Sequence, residues 1–322
     1  MARLREATAL SLAMSTEVSR RRAWVIAARP QTLPAAAAPV IVGVGLALRT
    51  GAFAPLPALA AFVGAALIQI GTNFANDYYD AIQGADTADR EGFTRVTAGG
   101  LIEPAAVKRA MWLTFAAAVL VGTYLVWVGG VPILVIGLLS VASGIAYTGG
   151  PYPLGYHGLG DLFVFVFFGL VAVTGTVYVQ AAAAVAGVPT TLPPGTVPSL
   201  ALLASLPMAG LTTNVLVVNN VRDREEDSRT GKRTLAVRFG YGVCRAEYVA
   251  MLALAYAVPV LLFLGEFGPA ILLPLLSLPL AGIVTRTVLT RTDGEALNPA
   301  LERTGQLLAL YAVLFTAGLI LG

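Results

Sequence analysis

Two short segments of the chain gather carboxylates and amides at helical spacing. In Asn73-Phe-Ala-Asn76-Asp77-Tyr-Tyr-Asp80, residues Asn73, Asp77 and Asp80 stand at i, i+4 and i+7, which is one face of a helix. In Asn219-Asn220-Val-Arg-Asp223-Arg-Glu-Glu-Asp227, residues Asn219, Asp223 and Asp227 stand at i, i+4 and i+8, again one face. Carboxylate and amide oxygens are hard ligands. They suit Mg²⁺, with Mn²⁺ as an alternative, and Mg²⁺ keeps several waters and shares phosphate oxygens. Cations follow each acidic face: Arg90 and Arg95 after the first, Lys232 and Arg233 after the second. Two acid clusters facing each other through metal, with cations beside them, are an arrangement for a diphosphate. One acidic loop alone reads as a solvated surface. Two matched amide–carboxylate faces call for a functional reason, because charge at helix ends beside lipid is costly. Asp86, Asp89, Glu91, Glu225 and Glu226 read as solvated.

A third segment runs Tyr147-Thr-Gly-Gly-Pro-Tyr152-Pro-Leu-Gly-Tyr156-His157-Gly-Leu-Gly-Asp161. Its tyrosines and glycines make a tight, aromatic turn, a wall for a flat aromatic ligand. His157 reads either as structural or as part of that wall, and Asp161 either as a helix N-cap or as a substrate contact.

These residues must be held by membrane helices. Hydrophobic types make up 57% of the 322 residues and charged types 12%, half the share of an ordinary soluble domain. No Asp, Glu, Lys or Arg occurs between Ala110 and Gly160, or between Leu162 and Val221. Such runs belong in lipid, where one spanning helix needs about 20 apolar residues. The expected fold is all-α: nine spans, near 31–49, 55–76, 108–128, 131–148, 161–183, 197–220, 245–264, 268–288 and 304–321, forming one domain over 29–322 with membrane lipid around it. Residues 1–28 are expected to be a disordered basic tail. Of the 21 Lys and Arg, all but Arg49 fall on the side of the N-terminus and the long loops, so that side and the N-terminus are expected in the cytoplasm and the C-terminus outside. One Cys and one His exclude a disulfide within the chain and a Cys or multi-His metal site. The net charge of +3 gives no nucleic-acid signal.

The two Asp-rich segments resemble the paired motifs of the UbiA superfamily of intramembrane prenyltransferases. Ala28-Arg29-Pro-Gln-Thr-Leu-Pro, Arg95-Val-Thr-Ala-Gly-Gly-Leu-Ile, the Tyr147–Tyr156 stretch and Lys232-Arg-Thr-Leu-Ala are similar to the branch that prenylates 1,4-dihydroxy-2-naphthoate in menaquinone synthesis. The resemblance covers the chain from about Arg29 onward. It implies a nine-helix bundle around a cavity open to lipid, with both motifs over its cytoplasmic mouth. It further implies Mg²⁺ on Asp77, Asp80, Asp223 and Asp227, supported by Asn73 and Asn219. Polyprenyl diphosphate would meet Arg29, Arg95, Lys232 and Arg233, and the aromatic acceptor would meet Tyr147, Tyr152, Tyr156, His157 and Asp161. Many relatives carry lysine where this chain has Gln83, and Arg90 is the candidate replacement. Prenylation of 4-hydroxybenzoate or homogentisate is the alternative within the superfamily. A secondary transporter is the alternative outside it, but would place its charges near mid-membrane.

Overall fold

The computed structural model describes residues 18–85, 92–265 and 267–322. Among them every regular element is helical. In chain order the longer ones are α1 (Arg20–Ala28), α2 (Leu33–Arg49), α3 (Pro55–Ile82), α4 (Pro104–Ala146), α5 (Gly160–Ala182), α6 (Ser199–Arg229), α7 (Leu235–Leu264), α8 (Pro269–Thr290) and α9 (Gly294–Leu321), with short 3-10 turns at Pro30–Thr32 and Leu154–His157. With α1 and α2 counted as one run, eight segments are long and apolar enough to cross a membrane.

The expected nine spans are therefore corrected to eight long apolar segments. The expected spans 108–128 and 131–148 belong to one element, α4, of 43 residues. A straight helix of that length would reach about 65 Å, twice the roughly 30 Å of a hydrocarbon core. It is not straight. Gly130 takes φ 65°, ψ −151°, a conformation open to glycine. A Cβ placed on Gly144 would lie 3.5 Å from Phe115 Cζ. Residues so far apart along one element meet only if it doubles back at Gly130, so α4 is a helical hairpin. Its turn is tied down by Val131 N–H donating to Pro189 O (2.9 Å). Leu113, Leu120, Trp127 and Leu138 on its limbs are among the most exposed large apolar side chains. That surface suits lipid.

The tail expectation is corrected as well. Residues 20–28 form α1, N-capped by Ser19. The local sequence carries a small apolar face, and Ala23 and Ala27 are fully buried. Trp24 meets Phe74 of α3 edge-on at 5.8 Å. Residues 1–17 lie outside the described part.

α6 is the central helix, with Ala201, Ala204, Met208, Leu211, Val217 and Val218 all buried. α5 approaches it closely where Gly169, inside a π-helical stretch Phe165–Val171, abuts Ala209. Both acid-bearing helices end in the same way. At the end of α3, Gly84 takes φ 68° and Ala85 N–H donates back to Asp80 O (2.8 Å). At the end of α6, Gly231 takes φ 82° and Lys232 N–H donates back to Asp227 O (2.9 Å). Each is a left-handed glycine C-cap, and Asp80 and Asp227 hold the same position in it.

Candidate functional site

A cavity of about 810 Å³ runs between the helices. One end is polar, lined by Arg29, Asn76, Asp80, Arg95, Asn219, Asn220, Asp223, Asp227 and Lys232, with Tyr147 and Tyr156 beside them. The other is apolar, lined by Ala61, Gly64, Ile68, Leu125, Ile133, Val171 and Val179 among others. From Asp80 to Ala61 the lining follows α3 for nineteen residues, about 28 Å of helix.

The polar end brings the two acid clusters together. Lys232 Nζ lies 3.2 Å from Asp80 Oδ1 and 3.9 Å from Asp227 Oδ1. Arg95 reaches Asp80 Oδ2 at 3.6 Å, and the Tyr156 hydroxyl donates to Asp80 Oδ1 at 2.6 Å. Asp223 is held by its neighbour Arg222, whose Nε donates to Oδ1 (2.6 Å) and Nη2 to Oδ2 (2.9 Å). Arg222 also donates to Asn219 Oδ1 (2.7 Å) and Asn298 Oδ1 (3.0 Å), which ties α6 to α9. Asp80 and Asp227 sit in the last turn of their helices, where the macrodipole disfavours anions. Both are nearly buried, at 2% and 6% exposure. Acids in such positions need cations, and the glycine cap of α6 folds Lys232 back over them.

The face expected to carry Asn73, Asp77 and Asp80 divides. Asp77 does not line the cavity: its two oxygens accept from Val96 N–H (3.2 Å) and Thr97 N–H (2.9 Å). Its carboxylate therefore faces the chain after Arg95 instead of the cavity. Asn73 lines the cavity, and its amide nitrogen donates to Ala28 O (2.9 Å) and Thr32 Oγ1 (3.0 Å) in the chain before α2. The amide beside Asp80 is instead Asn76, which accepts from Thr148 Oγ1 (3.0 Å). Asn76 and Asp80 are spaced i, i+4, as good a helical pair as the one chosen from sequence. Asn220 and Arg222 were also missed.

The remaining expected contacts divide similarly. Arg29 lines the cavity. Arg233 is exposed, and its backbone, not its side chain, is engaged, with its N–H donating to Tyr156 O (2.9 Å). Tyr147 and Tyr156 line the cavity, whereas Tyr152 and His157 stack on each other 3.6 Å apart outside it. His157 Nδ1 faces Pro153 O at 2.8 Å, the structural role. Asp161 lies in the first turn of α5 without capping it, behind Asn220, whose Nδ2 is 3.5 Å from both its oxygens. Gln83 donates to Thr148 O (3.1 Å) and so ties α3 to the tyrosine loop. Arg90 lies outside the described residues.

Burial, and then the charges of Asp161, Asp227 and Asp80, push the Tyr147 hydroxyl well above the ordinary phenol value. Tyr147 therefore stays a neutral donor. Among the described residues no three Asp, Glu, His or Cys side chains converge into a metal cage. Mg²⁺ does not demand one: it is held by one or two carboxylates together with substrate phosphates and water. The oxygens of Asp80, Asp223, Asp227 and Asn76 are a fitting donor set for it.

A bundle of apolar helices with paired acid motifs over a greasy cavity is the form of an intramembrane prenyltransferase. Residues 36–308 match the UbiA prenyltransferase family, and the chain belongs to that family. It is 40% identical over 314 residues to the 1,4-dihydroxy-2-naphthoate octaprenyltransferase of Escherichia coli K12, covering 95% of this chain and 97% of that protein. It is 37% identical over 299 residues to the protein of the same name from Mycobacterium tuberculosis, covering 93% and 97%. Among solved structures, an apo UbiA homologue from Aeropyrum pernix superposes with a TM-score of 0.66 at 16% identity, over 90% of this chain and 96% of that one. A UbiA homologue from Archaeoglobus fulgidus, bound to GPP and Mg²⁺, does so with 0.60 at 15% identity, over 91% and 99%.

Proposed function

We propose that the protein transfers a polyprenyl group from a polyprenyl diphosphate to 1,4-dihydroxy-2-naphthoate, with release of diphosphate and carbon dioxide. The observation that carries this reading is the convergence of Asp80, Asp227 and Lys232 at the mouth of a long apolar cavity, in a chain that matches naphthoate prenyltransferases over nearly its whole length.

Asp80, Asp223, Asp227 and Asn76, with Asn219 beside them, would hold Mg²⁺ or Mn²⁺. When bound, the ion supplies positive charge to the oxygens of the departing diphosphate. Lys232, Arg95 and Arg29 neutralise those same oxygens, where charge grows as the allylic carbon–oxygen bond breaks. The apolar length of the cavity takes the isoprenoid chain and keeps water from the allylic cation. Tyr147 and Tyr156 flank the naphthoate ring. The ring carbon bearing the carboxylate forms the new carbon–carbon bond. The bond to the carboxylate then breaks, its electron pair returns to the ring, and carbon dioxide leaves in place of a proton. The reaction occurs in the cell membrane, with the motif-bearing helix ends and the N-terminus in the cytoplasm.

The test uses purified protein with Mg²⁺, a polyprenyl diphosphate and carboxyl-labelled acceptors. Label released as gas from the naphthoate is the expected result. Label retained in a prenylated 4-hydroxybenzoate, with the naphthoate inert, would overturn it.

A further inference from the structure

We propose that Asn73 and Asp77 are positioning residues that clamp, from one helix, the two chain segments delivering Arg29 and Arg95 to the cavity. This rests on the diphosphate reading of the polar end. The two cations reach that end from separate stretches of chain, and neither stretch is a regular helix at the point of delivery. Arg29 occupies φ 51°, ψ 68° and is the one described non-glycine residue with positive φ. A bulky side chain is rarely held there, and such backbone persists only where its surroundings over-determine it. Those surroundings are α3. Asn73 Nδ2 donates to Ala28 O (2.9 Å) and to Thr32 Oγ1 (3.0 Å), and Gln69 Nε2 donates to the same Thr32 hydroxyl (3.0 Å). Thr32 Oγ1 in turn donates to Arg29 O (2.9 Å). The residues on both sides of Arg29 are thereby fixed to one turn of α3.

One turn further along, Asp77 does the same for Arg95. The chain after Arg95 makes a tight turn, Gly99 N–H returning to Arg95 O (2.9 Å) and Leu101 N–H to Val96 O (2.9 Å). The N–H groups that open this turn, those of Val96 and Thr97, point outward and both end on the Asp77 carboxylate. Asp77 is 1% exposed and Val96 fully buried, so the bonds form away from water, where charge-assisted bonds to backbone N–H are strong. Arg95, the preceding residue, is set 3.6 Å from Asp80. Asp77 thus serves the backbone of the Arg95 segment away from the cavity, whereas Asn73 lines the cavity and holds the Arg29 segment at the same time.

The test compares Asn73→Ala, Asp77→Ala, Arg95→Ala and Asp77→Ala/Arg95→Ala in the full-length protein in detergent. Geranyl diphosphate binding is measured by calorimetry at fixed Mg²⁺, and the Mg²⁺ dependence of turnover alongside it. Asp77→Ala is expected to weaken geranyl diphosphate binding about tenfold, the scale of one lost charged hydrogen bond. Asn73→Ala should weaken it as well. The double variant should be no worse than Arg95→Ala alone, because a residue acting through another is not additive with it. The Mg²⁺ concentration for half-maximal activity should stay at its wild-type value. Losses that multiply in the double variant, or a raised Mg²⁺ requirement in Asp77→Ala, would overturn the clamp. If Asp77→Ala does not fold, Asp77→Asn, which keeps one acceptor oxygen, is read in the same way. Wild-type protein that fails to bind geranyl diphosphate would sink the functional reading itself. Wild-type binding that Asp77→Ala leaves unchanged would sink the clamp alone.

Discussion

Lys232 Nζ sits 3.2 Å from Asp80 Oδ1, joining the end of α6 to the end of α3 through one ion pair at 9% and 2% side-chain exposure. The same ammonium reaches Asp227. It is a counter-charge that the two nearly buried acids share before any diphosphate arrives. Removing one partner of a buried pair strands the other charge, which costs more than the pair contributes.

Lys232→Met should therefore do two things. It should lower kcat/KM for the prenyl diphosphate by roughly a hundredfold, the scale for losing a group aimed at developing charge. It should also lower the melting temperature of the substrate-free protein. Added Mg²⁺ should restore more of that loss in the variant than it gains in wild type, because an ion can take over as counter-charge. Thermal melts in detergent across a Mg²⁺ series check this, and an unchanged melting temperature would contradict it.

Asp80→Asn and Asp227→Asn should each reduce turnover by at least about a hundredfold while the helices stay folded. Excess chelator should abolish wild-type turnover, and Mg²⁺ should return it. Circular dichroism and a prenyl-transfer assay on the same preparations give both readouts. Near-normal turnover in either variant, or in chelator, would remove these acids from the metal site.

Gly130→Ala should destabilise the protein by about 1–3 kcal/mol, the range for overpacking a tight contact. A Cβ there would run into the Pro189 carbonyl, and the residue's positive φ disfavours alanine. Gly137→Ala on the second limb of α4, where a Cβ meets nothing within 4 Å, is the control and should melt near wild type. Equal melting of the two variants would argue against a strained turn at Gly130.

The membrane fold was legible because hydrocarbon demands long charge-free runs, and two of them fill the middle of this chain. The break at Gly130 was legible as a boundary between spans, but its joining of two limbs into one element was not, since no polar residue marks the turn. At the polar end of the cavity, the type and spacing of Asp80, Asp223, Asp227, Arg95 and Lys232 marked residues that the fold brings together. Asp77 turns to a loop and not to the cavity, because helical spacing cannot say which side of a helix faces a cavity and which faces a loop. Nothing local distinguishes the amide of Asn73 from that of Asn76; only the positions of Ala28 and Thr148 do. His157 and Tyr152 attracted attention by rarity and type, and they stack on each other instead.

The hairpin in α4 also carries a topology that labelling can test. If α4 crosses twice, the crossings of α1–α2, α3, α4, α5, α6, α7, α8 and α9 place the two chain ends on opposite sides. The basic residues sit with the N-terminus, and Arg49, the exception, lies at the far end of α2, where it donates to Leu319 O (2.8 Å). The positive-inside rule then predicts Ser228, beyond Asp227, in the cytoplasm and Ala186, between α5 and α6, outside. Both are exposed, and the native Cys244 is buried, so the wild-type protein is a blank background. A membrane-impermeant maleimide should label Ala186→Cys in intact cells, and Ser228→Cys only after the membrane is opened. The reverse pattern would invert the protein in the membrane. Labelling of both in intact cells would mean that α6 does not span.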